Sequence, residues 1–202
     1  MVDYSIENEY REKGFDIICG VDEAGRGPLA GPVYAAAVIL PSDCVIEGLN
    51  DSKKLTEKKR EKLFDEIKEK ALAYGIARAD EKEIDEINIL NATFLAMKRA
   101  IDSLSVKPDL ALIDGNQKPH TDIEEVTVVK GDAKSMSIAA ASVLAKVSRD
   151  RFMLEMAEKY PQYEFARHKG YGTKLHYEKI AQYGVCDIHR RTFLKKIFGE
   201  QK

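Results

Sequence analysis

Long apolar runs are missing from this 202-residue sequence, and no stretch approaches the roughly 20 residues that a membrane-spanning helix needs. The opening residues, Met1-Val2-Asp3-Tyr4-Ser5-Ile6-Glu7-Asn8-Glu9, lack the basic-then-apolar pattern of a secretory signal, so a cytoplasmic protein with no membrane partner is expected. Cysteine is scarce. Cys19, Cys44 and Cys186 are odd in number and include no Cys-x-x-Cys, which argues against a disulfide framework. Cys186-x-x-His189, with His176 and His168 upstream, hints at zinc, but one local cysteine at that spacing fits no standard finger. These residues are read instead as scattered surface or core positions. Internal repeats and low-complexity linkers are absent as well, which leaves one domain, or one domain with an appendage.

An overall positive charge is also lacking, since the formal net charge is −2. The balance is uneven along the chain. Residues 167–202 hold nine Lys/Arg against three Asp/Glu, while the preceding 166 residues hold 23 against 31. A basic tail on an acidic body suits a local grip on a polyanion, and equally a solvated helical face. The composition is otherwise that of an ordinary globular protein, 44% hydrophobic and 33% charged.

What the sequence does contain centres on Ile17-Ile18-Cys19-Gly20-Val21-Asp22-Glu23-Ala24-Gly25-Arg26-Gly27-Pro28. A buried-strand pattern leads into two carboxylates and then a glycine-punctuated basic turn. In a regular strand Asp22 and Glu23 point to opposite faces, so both reach one site only if the strand ends or bulges there. An acidic turn after a strand is the plain alternative. Gly25-Arg26-Gly27 tilts the choice, because bare N–H groups and a guanidinium are equipment for phosphate. Carboxylates beside such a grip call for a divalent cation between them.

The rest of the chain reads as alternating elements. Tyr34–Leu40 forms a second strand bracketed by prolines, and a helix capped by Thr56 runs to about Lys70. Residues 71–79 form a weaker third strand, 80–86 an acidic solvated link, and Ile89–Leu104 a helix. Asp109–Asn116 is the clearest buried strand and Glu125–Lys130 a fifth. A long helix, about Lys134 to Lys159, is rich in small residues that let it lie close to a sheet, and a further helix spans Lys174–Gln182. Together these describe an α/β protein with a five-stranded mixed sheet flanked by helices. Residues 1–160 form the main domain and 161–202 a basic helical appendage within the same compact unit.

Three strands end in carboxylates: Asp22-Glu23, Asp114-Gly115 and Gly131-Asp132. Asp114 alone could start a turn, and Asp132 alone could cap the long helix. Jointly, four acids at strand exits repel one another unless cations are present. All-oxygen ligands favour magnesium or manganese, and two such ions roughly 3.5–4 Å apart suit phosphodiester hydrolysis.

Val21-Asp22-Glu23-Ala24-Gly25-Arg26-Gly27-Pro28-Leu29-Ala30-Gly31-Pro32-Val33 resembles the opening motif of ribonuclease HII. The resemblance continues through Asp51-Ser52-Lys53-Lys54-Leu55, Ile113-Asp114-Gly115, Lys130-Gly131-Asp132-Ala133-Lys134-Ser135 and Ile138-Ala139-Ala140-Ala141-Ser142. It extends through Ala145-Lys146-Val147-x-Arg149-Asp150, His168-Lys169-Gly170-Tyr171-Gly172-Thr173 and His189-Arg190-Arg191-x-Phe193, in order over most of the chain. The resemblance implies an RNase H-like fold and a metal-dependent endonuclease that hydrolyses the RNA strand of RNA–DNA hybrids. It also implies incision 5′ of single ribonucleotides in duplex DNA, leaving 3′-hydroxyl and 5′-phosphate ends, by two-metal-ion catalysis in a monomer.

Carried over by position, Asp22, Glu23, Asp114 and Asp132 are the expected metal-binding catalytic acids. Gly25, Arg26 and Gly27 are expected to read the ribose 2′-hydroxyl, and Tyr171 to stack on the sugar at the RNA-to-DNA junction. Lys53, Lys146, Arg149 and Lys169 are expected phosphate contacts. The short N-terminal region sets the chain apart from the related ribonuclease HIII.

Two other classes compete with this reading. Gly25-x-Gly27-x-x-Ala30, with Glu47 twenty positions after Gly27, fits a dinucleotide fingerprint. In that arrangement Asp22 and Glu23 would face the pyrophosphate, and Pro32 interrupts the helix that should follow. A non-catalytic nucleic-acid-binding module leaves the clustered acids unexplained.

Overall fold

A computed structural model of the protein describes residues 2–198, so the last four residues of the basic stretch lie outside the described part. Five strands, β1 (Ile18–Ala24), β2 (Val33–Ile39), β3 (Ala73–Ala79), β4 (Leu110–Asp114) and β5 (Glu124–Val128), form one sheet in the order β3-β2-β1-β4-β5. β1 pairs antiparallel with β2 and parallel with β4. The centre of the sheet is therefore a topological switch point, where ligands gather in open α/β sheets.

Helices cover both faces: α1 (Ser5–Glu12), α2 (Glu57–Lys70), α3 (Glu81–Asp102), α4 (Met136–Lys159), α5 (Phe165–His168), α6 (Lys174–Tyr183) and α7 (Arg191–Phe198). The pleat divides β2 between two cores. Ala36 and Val38 pack with α2 and α4, while Val33, Ala35, Ala37 and Ile39 pack with α3. The small-residue face of α4 does what its composition predicts. A Cβ on Gly20 of β1 would lie 2.1 Å from the Ser137 carbonyl carbon, so helix and strand touch backbone to backbone. Ser135 caps α4 by accepting the Ile138 N–H, which leaves Asp132 free of that duty.

The structure corrects two expectations here and adds one feature that no pattern announced. Residues 80–86 are the first turns of α3, because Asp80 accepts the Lys82 and Glu83 N–H groups and Glu83 reaches back in a capping box. Ile84 on that segment is fully buried. The helix expected from Ile89 is the continuation beyond a kink at Asn88, whose φ of 68° breaks the helix and whose side chain caps the second half. Finally, α1 carries a buried carboxylate, Glu7, that accepts the Ser135 hydroxyl and the Ser137 N–H, tying the N-terminal segment to the start of α4.

The appendage shares a core with the body. Tyr163, Phe165, Ile180 and Leu194 pack with Leu29, Ala30 and Met153. Backbone bonds stitch the two together, from Leu29 N–H to Gly170 O, Gly31 N–H to Ile188 O and Arg190 N–H to Leu29 O.

Candidate active site

The parallel register sets Gly20 beside Leu112 and Val21 beside Ile113, so two residues further on Asp22 and Asp114 leave the sheet side by side on the α4 face. Asp132 joins them from the 3₁₀ turn at Gly131–Ala133 that leads to α4. Carboxylate oxygens of Asp22, Asp114 and Asp132 lie within 4.8 Å of one another. Backbone donors fix two of these side chains. The Glu23 N–H donates to Asp22 Oδ1 at 2.7 Å, and the Gly131 and Asp132 N–H groups donate to Asp114 Oδ1 at 2.7 and 3.3 Å.

Glu23 sits differently. β1 continues without a bulge through Ala24, with Glu23 opposite Ala35 on β2, so the expected break between the two acids does not occur. Gly25, with φ 99°, ends the strand instead. Glu23 therefore lies outside the three-carboxylate group, with Oε1 3.5 Å from Arg26 Nη1. Its charge still reaches the group, helping to raise Asp22.

The electrostatics are strained. Burial, then the charges of Glu23 and Asp114, push Asp22 well above the ordinary carboxylate range. Burial also raises Glu23, with Arg26 opposing and Asp114 adding. Asp132 is raised by burial and then by Asp114 and Asp51, against the pull of Lys53. Lys53 Nζ stands 3.7 Å from Asp132 Oδ2 on a mostly exposed side chain. One neighbouring cation does not neutralise this many acids. Buried carboxylates crowded together in this way fit a hard divalent cation, which Asp22, Asp114 and Asp132 would hold.

The other expected site residues divide. Gly27 faces open space, and Tyr171 is 43% exposed with Arg149 Cζ 5.6 Å from its ring centre. Lys169 Nζ donates to Ala166 O, and Lys146 Nζ is drawn to Asp150 at 2.7 Å. Arg149 corrects its assignment as a phosphate contact. It is fully buried, and its guanidinium donates to the carbonyls of Pro32, Ala30 and Lys169. An arginine at helical spacing from Lys146 reads as surface charge, and only the fold shows that it points under the Gly25 turn.

Two residues near the site carry more than their motifs conveyed. Ser142 Oγ on α4 meets Ser52 Oγ at 2.8 Å, which ties the 51–53 turn to the helix that borders the cluster. Arg190, also fully buried, donates to Gly31 O, Arg26 O and Gly25 O. Arg190 stands in the His189-Arg190-Arg191-x-Phe193 motif, but nothing in that pattern says that its side chain turns inward.

A sheet of this order with a carboxylate cluster at its switch point defines an RNase H-like, metal-dependent nuclease. The family model for ribonuclease HII matches residues 19–198, and the chain belongs to that family. A ribonuclease HII from Caldicellulosiruptor bescii is 58% identical, over 97% of this chain and 95% of its own length. One from Acetivibrio thermocellus is 62% identical over 94% of this chain and 74% of its own. The crystal structure of ribonuclease H2 from Pyrococcus horikoshii OT3 matches with a TM-score of 0.73 and 30% identity, covering 88% of this chain and 93% of that one. The protein is thus an endonuclease of the ribonuclease H type, acting on RNA–DNA hybrids and dependent on divalent metal. No helix among the described residues is long and apolar enough to cross a membrane.

Proposed function

We propose that this endonuclease also incises duplex DNA 5′ of a single embedded ribonucleotide, leaving 3′-hydroxyl and 5′-phosphate ends. The observation that carries the proposal is the trio Asp22, Asp114 and Asp132, within 4.8 Å of one another and bordered by an open glycine turn. These three acids would hold magnesium or manganese, and Glu23, outside the trio and beside Arg26, would be the fourth acid of the site, adding its negative charge at the edge. Two bound ions would supply Lewis-acid stabilisation of charge at the scissile phosphate and a more acidic attacking water.

The chain's own groups do the rest. The Gly25–Gly27 turn and Tyr171 meet the ribose, whose 2′-hydroxyl separates RNA from DNA, and a tyrosine ring offers both a stacking face and a hydroxyl. Lys53, Lys146 and Lys169 attract the phosphate backbone in a salt-dependent manner. Residues 161–202 serve as the substrate-binding appendage of a monomeric, cytoplasmic enzyme. Incubating the protein with duplex DNA containing one ribonucleotide, with and without magnesium or manganese, tests the reading. Incision at the 5′ side of the ribonucleotide only when metal is present is the expected result. Cleavage of hybrid with none of the single-ribonucleotide duplex would refute it.

A further inference from the structure

The Gly25–Gly27 turn has two unlike sides. On the inner side, a Cβ at Gly25 would lie 2.1 Å from Arg149 Nε. On the outer side, a Cβ at Gly27 would meet nothing within 4 Å. Arg190 closes the inner side with a fork of hydrogen bonds: Nη2 to Gly25 O at 2.5 Å, Nη1 to Arg26 O at 2.8 Å and Nε to Gly31 O at 2.9 Å. In a planar trans peptide the C=O and N–H point in opposite directions. Drawing the Gly25 and Arg26 carbonyls inward therefore turns the N–H groups of Arg26 and Gly27 outward. Among the described residues, neither N–H donates to a backbone acceptor of the protein.

Arg190 is also linked, through its chain neighbour and a second histidine, to the other reading element. It follows His189, whose Nε2 lies 3.1 Å from His176 Nε2, and His176 Nδ1 in turn bonds the Tyr171 carbonyl at 2.9 Å. A guanidinium buried completely and satisfied by carbonyl groups in place of a bonded carboxylate is an expensive way to brace a turn. A planar fork that fixes two consecutive peptides is something an ammonium cannot reproduce.

We propose that Arg190 is a positioning residue for ribonucleotide recognition: its guanidinium orients the Arg26 and Gly27 amides as a pair of donors facing the ribose 2′-oxygen and its phosphate. This rests on the reading that the Gly25–Gly27 turn and Tyr171 meet the ribose at the junction.

The test compares Arg190→Lys, Arg190→Gln and Tyr171→Ala on two substrates, duplex DNA with one ribonucleotide and continuous RNA–DNA hybrid. Rates are taken at a temperature where circular dichroism shows each variant fully folded. For both Arg190 variants kcat on the single ribonucleotide should fall about 30-fold, within the range a 1 Å misplacement produces, with KM changed far less. Loss on hybrid, which offers many registers, should be about tenfold smaller. Tyr171→Ala should show the same asymmetry.

If Tyr171→Ala is asymmetric while folded Arg190 variants lose equally on both substrates, or lose nothing, the Arg190 proposal falls and the reading stands. If Tyr171→Ala itself loses equally on both, the reading falls and takes the proposal with it. Should the Arg190 variants not fold, Gly27→Pro deletes one of the two amides without touching the core. It must then show the asymmetry, and equal loss on both substrates would overturn the proposal.

Discussion

Among the described residues, two largely buried clusters of titratable side chains stand out, and they are opposites. At the sheet's switch point, Asp22, Asp114 and Asp132 crowd like charges together. In the appendage, His176, His189 and Cys186 form a hydrogen-bond chain that needs no charge, with His168 stacked on His176. A carbonyl can only accept, so His176 Nδ1 carries the proton given to Tyr171 O, and its bare Nε2 accepts from His189 Nε2–H. His189 Nδ1 then accepts from the Cys186 N–H and thiol. His168 likewise donates from Nε2 to Tyr163 O and accepts the Gly170 N–H at Nδ1. Each ring has a defined tautomer and full partners. The difference separates a site from a scaffold: the satisfied cluster is complete as it stands, whereas the strained one would be completed by a cation.

The sharpest way to break the comparison is to neutralise one acid. Asp22→Asn or Asp114→Asn should lower cleavage by more than the ~100-fold that loss of an outer-shell partner of a metal costs. Each should also leave the metal-free melting temperature unchanged or higher, because a repelling charge is gone. Steady-state kinetics and thermal melts check both halves. A Cys186→Ser substitution, whose hydroxyl can still donate to His189, should leave kcat nearly untouched.

Metal addition and pH separate the clusters next. At a hundred times Kd, magnesium or manganese should stabilise the wild type by about 2.7 kcal/mol, and Asp114→Asn should lose most of that. Without metal, the two clusters respond to pH with opposite signs. Burial and neighbouring rings depress His176 and His189 to about 4, below their unfolded value of 6.5. Their contribution is therefore complete above pH 6.5 and is lost as pH falls from 6.5 towards 4. Asp22, Glu23 and Asp132 are raised, so their protonated forms favour the fold, and stability drains as pH climbs above the ordinary carboxylate range. Melting curves across pH 4 to 8 should show both limbs, and saturating metal should flatten only the upper one.

Much of this was legible in the sequence because apolar runs ending in acids announce strand exits, and the small residues of α4 announce close packing. The limits are equally physical. Asp80 and Glu83 look like solvated charge until they are seen capping one another across a helix start. Arg149 and Arg190 look like surface cations, since five of the six main-chain carbonyls they bond come from residues more than a hundred positions away. The histidines, spread over 22 positions of sequence, become a cluster only when α5, α6 and the 186–189 turn converge. Pattern reveals what a segment does locally; tertiary partners of a polar group leave no periodic trace.

A smaller effect concerns the two glycines that flank Arg26. Gly25→Ala meets both a φ of 99° and the Arg149 side chain, so it should destabilise by about 1–3 kcal/mol. Gly27→Ala has open space and should melt like the wild type while cleaving a single-ribonucleotide duplex more slowly. Equal melting temperatures for the two variants would contradict this division of the turn.

The chemistry of the site turns on whether the strained carboxylates hold a divalent cation. Electron paramagnetic resonance of manganese titrated with the metal-free protein tests it most directly, because bound ion disappears from the free-ion signal. The wild type should deplete that signal, Asp22→Asn and Asp114→Asn should deplete it far less, and His189→Asn should match the wild type if it folds. Equal depletion by wild type and both aspartate variants would contradict the account.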